Sequence, residues 1–122
     1  MANDFKRFTK PDVGTSTGAS SDAVYTVPAG AGSTALESIV IGITLANKAA
    51  TGITADVFLD NYDGSNDVYV VKGASIPAGS SLEIMSGNKI VVQNNGTTGD
   101  VIRVSASAGS SLDATVTVLE DV

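Results

Sequence analysis

ESIVIGITLAN, residues 37–47, decides how this chain is read. Ile39, Ile41, Ile43 and Leu45 recur at every second position, the repeat of a β-strand that turns one side to a core. The other side carries Val40, Gly42, Thr44 and Ala46. Those residues are small and hardly polar, so both faces of the strand are expected to be covered.

The same alternation spreads outward in both directions. NKAATG (47–52) is a hairpin connection to residues 52–60, where Ile53, Ala55, Val57 and Leu59 are expected to point inward. Upstream, residues 23–27 form a short strand stopped by Pro28-Ala29-Gly30. Downstream, the turn cluster DNYDGSND (60–67) leads into VYVVKGASI (68–76), with a bulge expected at Gly73. SLEIM (81–85), KIVVQ (89–93), DVIRVSA (100–106) and SLDATVTVL (111–119) follow, each separated by turn residues. About eight strands at a spacing of roughly 8–12 residues predict an all-β domain. The expected architecture is a single β-sandwich of jelly-roll or Ig-like type over residues 23–122, with a small barrel as the alternative. No window sustains a helical apolar stripe.

Composition narrows the chemistry. At 122 residues the chain has room for one domain. It contains no Cys and no His, which excludes disulfide frameworks, thiolate nucleophiles, Ser-His-Asp hydrolysis and the common zinc centres. The net charge of −6 lacks the basic footprint of a nucleic-acid binder. The opening MANDFKRFTK has no apolar segment behind it, so a chain made without a cleavable export signal is expected. The longest apolar run is too short to span a bilayer. Charged residues make up only 16% of the chain, against roughly 25% in a usual soluble protein, so much of the surface is expected to face another protein.

Residues 1–22 stand apart. The first twelve hold Phe5, Lys6, Arg7, Phe8, Lys10 and Pro11, and residues 13–22 (VGTSTGASSD) show no periodicity. This reads as an extended N-terminal arm, a mildly basic tip on a tether, with Phe5 and Phe8 as anchors and Lys6, Arg7 and Lys10 pairing with acids on a partner. The alternative is a disordered tail.

No motif declares a catalytic, cofactor or metal site. The acidic loop 60–67 offers three Asp, but an EF-hand register centred on Gly64 puts Leu59 and Val70 at ligand positions. A solvated turn is the favoured reading, with cation binding left open. Glu37, Asp56, Glu83, Asp100, Asp113 and Glu120 scatter along the strands, and Arg103 and Lys72 are expected to pair with such acids across strands. Tyr62, in the acidic loop, is the one tyrosine expected to be free to stack on a sugar. Tyr25 and Tyr69 are expected to pack within the sheets.

Taken together, KRFT…VGTS, VYTVPAG, IVIGITLAN…ITADV, VYVVKGASIPAGSSLEIM…KIVVQ and GDVIRVSASAGSSLDATVTVLE resemble a group of small structural proteins in the virions of tailed bacteriophages, marine and cyanobacterial phages among them. The resemblance spans residues 6–120 and carries no catalytic motif. It implies an all-β fold, no enzymatic activity, no cofactor and a place in a symmetric particle. The implied partners are copies of the chain itself and capsid, connector or tail proteins. Head decoration or the neck is the first expectation, and the tail or its fibres the second. From a different class, a carbohydrate-binding β-sandwich module is the rival.

Overall fold

A computed structural model describes residues 3–85 and 89–121. Its strands are β1 (Asn3–Lys10), β2 (Asp22–Thr26), β3 (Leu36–Asn47), β4 (Ile53–Asp60), β5 (Val68–Ile76), β6 (Ser81–Glu83), β7 (Ile90–Asn94), β8 (Val101–Ala106) and β9 (Leu112–Asp121). One sheet runs β1-β9-β3-β6, with β7 also paired to β3, and the other runs β2-β8-β4-β5. Every pairing is antiparallel. The fold is an all-β sandwich, and two separate sheets exclude the closed barrel.

The strand order identifies the kind of sandwich. β6 and β7 pair with successive halves of the same edge of β3, at Thr44–Ala46 and Leu36–Val40 respectively. Counted as one interrupted strand, they reduce the sheets to the orders 1-8-3-6 and 2-7-4-5. That is the eight-stranded jelly roll, in which the chain passes back and forth between the two sheets.

Eight of the nine strands coincide with the segments marked by alternation, and the ninth corrects the reading of the N-terminus. Residues 3–10 are not a free tether. They form β1, paired residue for residue with Ala114–Asp121 at the edge of the chain's own sheet. The linking segment is tied down as well. Val13 is fully buried and its N–H donates to Leu112 O at 2.8 Å. Lys48 bridges Asp12 and Asp113. Asp113 Oδ1 also accepts the Asp12 N–H. Small polar residues carry no periodicity here because the crossing between sheets is anchored at Val13 and Ser21 and mostly exposed between them.

A second correction concerns β3. Its register with β9 slips between Val40 and Gly42, making Ile41 an inserted residue. Before the bulge, Leu36, Ser38 and Val40 face the core; after it, Ile43, Leu45 and Asn47 do. Ile39 therefore points to the outside, opposite to its predicted direction, and Ile41 is only half-buried. A strict period of two cannot register one extra residue. The bulge expected at Gly73 is present: φ there is +68°, and its N–H donates to Asp56 Oδ1 at 2.7 Å.

The core is the seam between the sheets, with Tyr25, Val27, Val40, Ile43, Leu45, Val57, Ile76, Val92, Ile102, Val104, Leu112, Val116 and Val118 buried in it. At one end a close backbone crossing depends on a glycine. A Cβ on Gly99 would lie 2.1 Å from Val27 O, so no side chain fits there.

Substituting the two isoleucines checks the bulge. Ile43→Ala should destabilise the fold by about 2–5 kcal/mol, as for a fully buried site. Ile41→Ala should cost about 1 kcal/mol or less in the same denaturant titration, because it removes only partly buried methylenes. Equal losses would show an uninterrupted strand.

Candidate interaction surface

The expected arm residues divide between the two sides of β1. Phe5 points away from the sandwich and is 76% exposed, and Arg7 is exposed beside it. Phe8 turns inward and packs its ring on Tyr25, with centroids 4.6 Å apart. Lys6 Nζ lies 2.9 Å from Glu120 Oε1 in the same chain. Lys10 is half-buried at the end of the strand, opposite Ala114. Phe8 and Lys6 are thus used within the chain, while Phe5 and Arg7 are left facing out.

Glu120 is the residue the sequence reading overlooked. Its exposure is 1%, and it shares the phase of Ala114, Val116 and Val118, which face the core. Continuing the alternation by one step from Val118 would have placed it inside. Tyr25, on the facing sheet, donates its O–H to Glu120 Oε2 at 2.6 Å. The Ser38 hydroxyl lies 2.8 Å from the Tyr25 oxygen. Oε1 has no hydrogen bond of good angle among the described residues and is met by the Lys6 charge. Burial, reinforced by the hydrogen bond to Glu120, pushes the Tyr25 hydroxyl well above its ordinary ionisation range. The Glu120 carboxylate, 2.9 Å away, raises the Lys6 amine too.

Asp100 was likewise read as a scattered acid and is buried. Its carboxylate accepts the N–H groups of Tyr62 at 2.8 Å and Gln93 at 2.9 Å, pinning the acidic loop against β7. Within that loop Asp67 accepts from Asn61 N–H, Asp63 from Ser65 N–H, and Asp60 from Arg103 Nε, each at 2.7–2.9 Å. Each Asp thus serves a different local bond, and among the described residues no three acidic side chains converge as a metal cage. Tyr62 borders a shallow hollow with Glu37, Gln93 and Asn95. Tyr69, expected inside, lies partly exposed with its edge against Phe58 and Lys72 4.8 Å from its ring centre.

The outer faces of the two sheets differ in chemistry. That of β2-β8-β4-β5 carries ion pairs, Arg103–Asp60 at 2.9 Å and Lys72–Asp56 at 3.7 Å, as expected across neighbouring strands. That of β1-β9-β3-β7 carries a row in direct register, Phe5–Leu119–Ile39–Val91. Phe5 and the 58%-exposed Val91 end the row, and Leu119 and Ile39 are half-buried between them. Arg7, Thr117 and Gly42 flank it on one side and Glu37 and Gln93 on the other, so a strip of apolar side chains four strands wide faces water between polar and charged rows. Among the described residues no helix is long and apolar enough to cross a membrane.

Tyr25→Phe should lower stability by about 2 kcal/mol at neutral pH, since it removes a buried hydrogen bond to a carboxylate. The alkaline limb supplies a second check. An unfolded tyrosine ionises near its ordinary value of 10.0, whereas native Tyr25 keeps its proton. Stability should therefore be fully present below about pH 10 and fall as pH rises beyond it, in the direction the raised Lys6 also dictates. Thermal melts from pH 7 to 11 should show a shallower alkaline decline in Tyr25→Phe than in the parent chain.

No protein-family model matches the chain, and no curated protein matches it significantly.

Proposed function

We propose that this chain is a non-enzymatic structural subunit of a tailed-phage virion, acting in head decoration or at the neck and head–tail junction. It assembles with copies of itself and with capsid, connector or tail proteins through its β surfaces and its first strand. The observation that carries this reading is the outward row Phe5–Leu119–Ile39–Val91. Contiguous apolar strips on an otherwise folded surface mark places where another protein sits. Three features support it: the low charge content, the resemblance of residues 6–120 to small virion proteins, and a jelly-roll topology that serves in viral shells. The fold enters as analogy, because jelly rolls also serve as lectins. A tail or fibre position is the alternative placement.

The mechanism is passive. Each copy buries its apolar strip against a neighbour, and weak local contacts add up around a symmetric particle. Intact particles purified from infected cells should contain the chain at fixed stoichiometry. A Phe5→Asp/Val91→Asp double variant should be incorporated at least tenfold less. Particles free of the chain would overturn the proposal.

The hollow beside Tyr62 favours one other reading, a carbohydrate-binding module. Glu37, Gln93 and Asn95 offer hydrogen-bonding groups next to an aromatic ring held in place through Asp100. Binding on a glycan array that disappears in Tyr62→Ala would support it over the structural role.

A further inference from the structure

Among the described residues β1 ends its sheet, pairing with β9 on one side only. An exposed edge strand is a template for pairing with another chain, and natural proteins usually block it with a bulge, a proline or inward charges. β1 runs without a register break from Asn3 to Lys10, and Pro11 comes only after its end. Asp4 to Arg7 are exposed, Phe5 and Arg7 on the outer side and Asp4 and Lys6 as the charges this edge carries on the inner side.

We propose that this edge pairs with the same edge of a second copy, antiparallel, about a two-fold axis through Phe5. Residues opposite each other in an antiparallel pair point to the same face, so a two-fold axis normal to the sheet must pass through a residue and not between two. That leaves few registers. An axis through Asp4, Lys6 or Arg7 sets each of those charges against its own copy, and an axis through Phe8 sets Lys6 against Lys10. Like charges directly opposite are destabilising.

The axis through Phe5 avoids all of these conflicts. Phe5 meets Phe5 of the other copy on the outer face, and Asp4 of each copy lies opposite Lys6 of the other on the inner face. In the single chain Asp4 stands across from the buried Glu120, and the Lys6 amine pairs with Glu120. In the pair each Lys6 lies between the Glu120 of its own chain and the Asp4 of the other, so Asp4 gains a facing cation that the single chain does not set opposite it. On the outer face the apolar row continues through the junction and doubles in length. Arg7 of one copy comes diagonal to the Phe5 ring of the other, within reach of a cation–π contact.

This pairing deepens the structural reading above and rests on it only in that copies of the chain associate. It can be tested without any particle. The chain contains no Cys, so Phe5→Cys introduces a single thiol at the proposed axis. Mild oxidation should link most of that variant into a covalent dimer, whereas Thr9→Cys, on the same face of β1 but four residues from the axis, should dimerise without cross-linking. The parent chain should sediment as a dimer. Asp4→Lys sets Lys against Lys6 of the other copy and should weaken dimerisation at least tenfold. In the single chain that substitution relieves the Asp4–Glu120 juxtaposition, so a loss of dimer is not a loss of fold.

A parent chain that sediments as a monomer would overturn the pairing. So would a dimer that Asp4→Lys leaves equally tight, or one in which Thr9→Cys cross-links as readily as Phe5→Cys. A dimer that never enters a particle would instead overturn the virion role and leave the pairing standing.

Discussion

A carboxylate taken out of water has to be met by hydrogen bonds and charge, and the sandwich is organised around one such group. Glu120 sits between the sheets with the Tyr25 hydroxyl on one oxygen and the Lys6 amine against the other. Tyr25 comes from the facing sheet, Lys6 from the first strand, and Ser38 from the strand on the other side of β9. Four strands are thereby held in one relative arrangement by a group that tolerates little variation in distance. Removing one partner would leave a buried charge uncompensated, which costs far more than an apolar contact of the same size. The network explains why residues 3–10 belong to the domain. Without β1 the Glu120 charge would lose its cation and Tyr25 the ring that covers it.

How much of this was legible depended on whether a feature repeats. Alternation located β2 to β9 because a half-buried strand writes its environment at every second position. It also held at Glu120 and Asp100, where an acid occupies an inward step. There the habit of treating charge as surface outweighed the phase. At Ile41 alternation itself failed, because a bulge changes the count of residues without changing their kind. β1 was missed for a third reason. Asp4, Phe5, Lys6 and Arg7 are all exposed, so an edge strand with one wet side looks like a tail. The acidic loop was read correctly as turns, yet its anchor at Asp100 lies 33 residues beyond its last Asp, at Asp67, which no local pattern reveals.

The two outer faces show where the molecule is finished and where it is not. The face bearing Arg103, Asp60, Lys72 and Asp56 is paired within itself, with the exposed Tyr69 ring held between Phe58 and Lys72. The opposite face presents hydrocarbon in register across four strands, bounded by Arg7, Thr117 and Gly42 on one side and by Glu37 and Gln93 on the other. A jelly roll supplies this asymmetry readily, since its two sheets share a core but have independent exteriors. Function is carried by the exterior, and the interior is common to proteins with quite different roles.

The inserted residue in β3 makes this strand a matter of counting. Replacing Ile41 by another residue leaves Val40 on one side of it and Ile43 on the other still aimed at the core. Taking the position away would join the two halves into one regular strand, with Gly42 still opposite Thr117, Ile43 still opposite Val116, and Val40, Ile43 and Leu45 all on the core side. Drift in this lineage should therefore be free to change the letter at 41 or to lose the position, whereas a residue gained or lost elsewhere in the strand should come with a compensating change close by.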